Sequence, residues 1–175
     1  MLVKAGGAPP GRFVDFPNEV WQATFEMNQM IAVRMIRGVI PSMQSRGGGS
    51  ILIVTSYSVK KPIDILNLMN LLRSGVTSRV NSLSLRLAPK KIYVNNLMPE
   101  QIDTNRVRTI DEAQARVAGI SVEERKMKSQ ATISLQRYGT IEYFGKIGAF
   151  LLSNAGSYIT GSSFAVGGGS LKTVW

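Results

Sequence analysis

The sequence of 175 residues contains no cysteine and no histidine. Their absence excludes zinc sites of the Cys/His kind, thiol nucleophiles, redox disulfides, Ser-His-Asp triads and histidine general bases. The sequence also has no apolar run near the roughly 18 residues that cross a bilayer, and its start lacks the apolar segment of a secretory signal. The composition therefore predicts a soluble, cytoplasmic protein whose chemistry would depend on Ser, Thr, Tyr, Lys, Arg, Asp, Glu or a cofactor.

The chain carries a formal net charge of +10, and its basic residues are spread along the sequence. The densest groups are Lys60–Lys61, Lys90–Lys91 and the run Arg125–Lys128. None of them is interleaved with aromatic residues, so a solvated basic surface is the favoured interpretation and a nucleic-acid partner is not expected. An anionic small ligand remains an alternative.

Apolar residues make up 44% of the chain, and their spacing alternates between strand and helix patterns. Strands are predicted at LVKAG, ILIVTS, KIYVNNL and the stretch around SSFAV. Helices are predicted over 18–46, with Asn18 as N-cap, over 64–87 and over 141–152. Residues 101–130 are polar, and a capping box of Ser121 and Glu124 predicts a single short helix there. This order predicts an α/β fold, one domain over 1–175 with a parallel sheet and right-handed crossovers.

One short stretch, SYSVKK, places Tyr57 and Lys61 in a Y-x-x-x-K pattern directly after Ser56. A lysine can lower the pKa of a tyrosine at this spacing only on a helix, where the two Cβ atoms lie about 6 Å apart. In an extended chain the same spacing separates them by about 13 Å. Because Pro62 disfavours helical geometry at Lys61, SYSVKK is predicted not to be a catalytic centre.

Longer motifs occur along the whole chain in a fixed order. Trp21 and Asn28 form W-x6-N, SILIVTS is a strand ending in serine, and NNLMPEQIDT resembles N-x-x-x-P-G-x-x-x-T. LVKAGGAPPG resembles a segment around N-N-A-G, and the stretch from RYGTIEYF to FAVGGG resembles a closing helix, a Y-I-T-G turn and a last strand. Together these motifs make the chain similar to the C-terminal two-thirds of a short-chain dehydrogenase/reductase. The resemblance implies a partial Rossmann-like, doubly wound parallel sheet of about four strands with flanking helices.

The resemblance also assigns the family's catalytic positions. It places the asparagine at Asn28 and the serine at Ser56, whereas the positions of the tyrosine and the lysine hold Met69 and Arg73. A thioether has no proton to exchange, and a guanidinium keeps its charge and does not relay a proton. Two of the four catalytic side chains are therefore expected to be replaced.

By resemblance the cofactor is NAD or NADP, and its binding residues are Ala5, Gly6, Pro99, Ile102 and Thr104. The glycine that follows proline in the family motif is replaced by Glu100, a carboxylate expected near the nicotinamide end of the cofactor. The chain resembles the family from about its fourth strand onward. It is therefore expected to be N-terminally truncated, without the G-x-x-x-G-x-G turn that receives the pyrophosphate, and to have low dinucleotide affinity.

The first strand is expected to have an unpaired edge, which favours pairing with another chain. The two helices over 18–46 and 64–87, which build dimers in the family, are the expected surface for a homo- or hetero-oligomer. Four possibilities stay open. They are NAD(P)-dependent oxidoreduction of a carbonyl or alcohol, a catalytically silent structural or interaction subunit, a truncated fragment without function, and binding of nucleic acid or another anion through the basic surface.

Overall fold

The computed structural model of the chain describes residues 1–4 and 6–172, and the predicted site residue Ala5 lies outside them. Four parallel strands form one sheet in the order β1-β2-β3-β4. They are β1 (Leu2–Lys4), β2 (Gly49–Val54), β3 (Ile92–Pro99) and β4 (Ser163–Val166). One row of register partners, Val3, Ile53, Asn96 and Ser163, runs across all four strands. The predicted α/β class with a parallel sheet of about four strands is confirmed.

Helices connect the strands. They are α1 (Asn18–Phe25), α2 (Ile31–Ser45), α3 (Asn67–Leu87), α4 (Asn105–Ala118), α5 (Val122–Ala131) and α6 (Ile141–Leu152). A π-helical segment (Glu26–Met30) joins α1 to α2. The predicted single helix over 18–46 is therefore interrupted at its middle.

The core lies on both faces of the sheet because alternate residues of β2 point to opposite sides. Ile51 and Ile53 pack with the buried faces of α2 and α3, which include Ile36 and Val80. Leu52 points the other way and packs with Leu97, Leu151 and apolar residues of α6. The sheet is therefore covered by helices on both faces, as its continuous apolar strands predict.

Three details of the predicted elements are wrong. Asn18 is the first helical residue, and Pro17 is the N-cap without a side-chain hydrogen bond. Helix α3 begins at Asn67, three residues after the predicted start, because the side chain of Asn70 binds the backbone of Ile63 and holds the preceding turn outside the helix. Helix α4 was not predicted at all, since Asp111 and Ala115 are its only buried residues and the apolar stripe is weak.

The predicted start of α5 is confirmed, because the Ser121 hydroxyl accepts a hydrogen bond from the Glu124 N–H at 3.0 Å. No helix among residues 1–4 and 6–172 combines the length and the apolar character needed to cross a membrane.

Candidate active site

Asn28 lies in the π-helical segment between α1 and α2, where the wider turn displaces its side chain from the regular helical stripe. Its Nδ2 donates to the backbone oxygen of Thr24 at 3.1 Å, and its side chain is only 2% exposed. Its Oδ1 is buried and has no hydrogen-bond partner among the described residues. A buried amide oxygen without a partner costs about 1–3 kcal/mol, so this oxygen is an unmet acceptor within the core.

A cavity of about 10 Å³, which has room for about one water molecule, lies beside Asn28. Thr55 and Arg73 contribute the other polar groups, and the remaining lining residues are Val3, Ala32, Ile53, Val54 and Val76. The structure therefore brings Asn28 and Arg73, two of the four predicted catalytic positions, to the same cavity at the end of β2.

Arg73 extends from α3 to the carboxyl ends of β1 and β2. Its Nη1 donates to the backbone oxygens of Thr55 and Val54, the latter at 3.4 Å, and its Nη2 donates to the oxygen of Gly6 at 3.5 Å. Burial and, to a smaller degree, the positive charge of Arg106 lower the pKa of Arg73 to about 10, so the side chain stays cationic near neutral pH. The guanidinium therefore links α3 to the end of β2 and to the loop after β1.

Met69 lies one turn before Arg73 on α3 and is 5% exposed. Its Sδ accepts a hydrogen bond from the backbone N–H of Ala8 at 3.2 Å. The side chain also packs with Leu68, Trp21 and Phe16 in a small apolar cluster. At the position predicted to correspond to the family's tyrosine, the chain therefore has a hydrogen-bond acceptor that holds the loop after β1, and this side chain has no proton to release.

Ser56 follows β2, and its hydroxyl accepts a hydrogen bond from the N–H of Ser58 at 3.2 Å. This bond caps a short 3-10 turn over Tyr57–Val59, and the helix does not continue to Lys61. Burial and the nearby carboxylate of Glu100 raise the pKa of Tyr57 to about 12. The stretch SYSVKK therefore lacks both the geometry and the lowered pKa of a catalytic tyrosine.

The predicted cofactor residues follow the ends of β1 and β3. A Cβ at Gly6 would lie 3.1 Å from Sδ of Met27, so a side chain there would crowd the π-helical segment. Pro99 ends β3, and Ile102 is 7% exposed and pairs with Gly139. The Thr104 hydroxyl accepts a hydrogen bond from the Val107 N–H at 3.4 Å and caps α4.

Glu100 is buried against the segment after β4. Ser170 donates a hydrogen bond to its Oε2, and a Cβ on Gly167 would lie 2.8 Å from the same oxygen. Burial raises the pKa of Glu100, while the Ser170 hydroxyl and the charge of Lys61 oppose the shift. The Glu100 side chain thus makes a polar contact between the residue after β3 and the segment after β4.

A polar network behind the cavity was not predicted. Thr55 donates to Oδ1 of Asn96 at 2.9 Å, and Asn96 Nδ2 donates to Thr77 at 3.3 Å and to Ser163 at 3.3 Å. Asn96 is 0% exposed, so its satisfied amide fixes β2, β3, β4 and α3 to one another. The two consecutive asparagines, Asn95 and Asn96, inside an otherwise apolar strand are the sequence feature that indicates such a buried polar network.

The similarity to known proteins agrees with this architecture. A family model described as enoyl-(acyl carrier protein) reductase matches residues 1–170. Dehydrogenase/reductase SDR family member 4 of Bos taurus is 35% identical over 162 residues, which cover 93% of this chain and 55% of that protein. The chain belongs to the short-chain dehydrogenase/reductase family. It spans about half the length of the curated relatives it matches.

Two solved structures extend the family likeness to three dimensions. An NADPH-dependent reductase involved in bacilysin biosynthesis has a TM-score of 0.93 at 25% identity, covering 99% of this chain and 66% of that one. L-sorbose reductase from Gluconobacter frateurii, solved with NADPH and L-sorbose, has a TM-score of 0.91 at 25% identity, with the same coverage of both chains. The chain therefore shares the Rossmann-like fold of the family's oxidoreductases.

Proposed function

We propose that this short-chain dehydrogenase/reductase does not perform the proton transfer typical of its family and acts as a non-catalytic subunit. The contact between Met69 and Ala8 is the observation that carries the proposal. A thioether that accepts a backbone N–H at 3.2 Å is a structural contact, and it has no proton to give to an alkoxide or to take from an alcohol.

The other side chains of the site support the same conclusion. Arg73 keeps its charge and uses its Nη atoms to bind the backbone oxygens of Val54, Thr55 and Gly6. Tyr57, with a pKa raised to about 12, is a poor acid or base near pH 7. A positioned general acid or base typically increases the rate by about 10²–10⁴-fold. Loss of the family's proton-transferring tyrosine therefore removes a large part of the rate enhancement.

Dinucleotide binding is proposed to be weak. NADPH is named with both solved relatives described above, which makes NADP(H) the first ligand to test. Two features of this chain argue against a tight complex. The Thr104 hydroxyl is already used as a helix cap, and Glu100 introduces a carboxylate at a family glycine position, where it would repel phosphates.

Association is proposed to use the helices over 18–46 and 64–87. Met27, Ile31 and Met35 follow one another at four-residue steps and are 47%, 37% and 42% exposed. On the neighbouring helix α3, Leu71 is 61% exposed. Exposed apolar side chains in such a row are typical of a surface that is covered in an assembly, and a second copy of this chain is the proposed partner.

Loss of catalysis is tested by following the oxidation of NADPH and NADH by the purified chain with a panel of aldehydes and ketones. We expect no consumption above the protein-free rate. Substrate-dependent consumption would refute the proposal, and comparison of Tyr57→Phe with the fully exposed control Tyr158→Phe would then show whether SYSVKK is responsible.

The association surface is tested by light scattering over a range of protein concentrations. We expect a mass above that of one chain for the wild type and for Val117→Glu, a control on α4 at a residue that is 90% exposed. Met35→Glu places a charge in the apolar row and is expected to give a single-chain mass. A single-chain mass for the wild type would contradict the proposed interface.

A further inference from the structure

Two arginines from different helices converge on the loop that follows β1. Arg73 reaches the loop from α3 and donates from Nη2 to the oxygen of Gly6 at 3.5 Å. Arg106 reaches it from the first turn of α4, where a Cβ on Gly7 would lie 3.6 Å from Cζ and from both Nη atoms. Both guanidinium groups therefore lie beside the dipeptide Gly6–Gly7, and any side chain on Gly7 would contact that of Arg106.

These two positive charges are not neutralised within the described residues. The ion pairs there use other cations, among them Arg108 with Asp103 at 2.8 Å and Arg125 with Asp111 at 3.8 Å. Neither Arg73 nor Arg106 takes part in one. After burial, the charge of Arg106 is the second cause that lowers the pKa of Arg73, which shows that the two groups repel each other.

Both guanidinium groups keep hydrogen-bond donors available. A guanidinium has five N–H donors in a planar fork, and the three backbone oxygens bound by Arg73 account for three of them. Arg106 is exposed and donates no side-chain hydrogen bond to another described residue. A fork of this geometry matches the oxygen pair of a carboxylate or a phosphate, and binding such a group would also remove the repulsion.

We propose that Arg73 and Arg106 form a binding site for the carboxylate or phosphate group of a small molecule, on the loop Gly6–Gly7 at the mouth of the candidate active site. The site requires no turnover, so it stands whether or not the chain is catalytic.

The test titrates inorganic phosphate and, separately, acetate into the purified chain at constant ionic strength, with amide NMR shifts as the readout. We expect saturable shifts at Gly6 and Gly7. The stronger of the two probes identifies the ligand group, phosphate indicating a phosphate ester and acetate a carboxylic acid. Absence of saturable shifts with both probes would overturn the proposal.

Two matched variants separate a defined site from general attraction by a basic protein. Arg106→Gln and Arg116→Gln each remove one positive charge from an exposed position of α4. We expect Arg106→Gln to weaken binding at least about five-fold and Arg116→Gln less than about two-fold. Equal weakening by both variants would show that only net charge matters and would refute the site. Because both side chains are exposed, unchanged melting temperatures are expected and should be measured alongside.

Discussion

Replacing Arg73 by lysine, the residue that the family resemblance predicts for this position, tests whether the arginine is a neutral substitute or a structural part of this chain. Arg73 binds three backbone oxygens, those of Val54 and Thr55 through Nη1 and that of Gly6 through Nη2. A lysine ammonium is a single point donor on a shorter reach, so it can replace the Nη1 contacts at best and loses the contact with Gly6.

The size of the effect follows from these contacts. Hydrogen bonds from charged donors contribute about 1.5–3 kcal/mol each, and the contacts of 3.4 Å and 3.5 Å lie at the long end of the range. We therefore expect Arg73→Lys to lower the free energy of unfolding by about 2 kcal/mol. For a domain of this size that corresponds to a fall in Tm of about 4–8 °C.

The assay is urea unfolding followed by circular dichroism, with Arg86→Lys as the control, since Arg86 is an exposed residue of the same helix. The control is expected to change stability by less than about 0.5 kcal/mol. If Arg73→Lys is as stable as the wild type, or more stable, the guanidinium does not stabilise the contact of α3 with the end of β2 and the loop after β1. The structural role assigned to Arg73 is then wrong.

Two further predictions concern packing and pH. Burial raises the pKa of Glu100, so its stabilising contribution is complete below the unfolded-state value of 4.5 and is lost as pH rises through the folded-state pKa. Glu100→Gln keeps an acceptor for Ser170 and should stabilise the chain at pH 7 but not at pH 4, measured by urea unfolding. Equal stabilisation at both pH values would contradict the burial argument. A Cβ on Gly75 would lie 2.4 Å from Nε2 of the buried Gln29, so Gly75→Ala should destabilise the wild type by about 1 kcal/mol. In a Gln29→Ala background the clash is absent, and the higher helix propensity of alanine should make the same substitution stabilise the chain by about 1 kcal/mol. The same sign in both backgrounds would refute the clash.

The sequence alone determined the class of the fold. ILIVTS is an apolar run between two helical stripes, and such a strand is typical of a parallel sheet covered on both faces. Resemblance to the family's corresponding segment also predicts, without any tertiary structure, that Met69 and Arg73 stand at the tyrosine and lysine positions. The failure of SYSVKK as a catalytic motif followed from Pro62, a local constraint.

Only the tertiary structure decided what these residues do. Met69 binds Ala8 across 61 residues of sequence, and Glu100 binds Ser170 across 70. The π-helical turn at Asn28 and the approach of Arg106 to Arg73 likewise depend on which helices and strand ends become neighbours. Apolar periodicity reports burial of nearby residues, whereas polar contacts between distant segments are set by the packing of the whole sheet, and no local pattern encodes them.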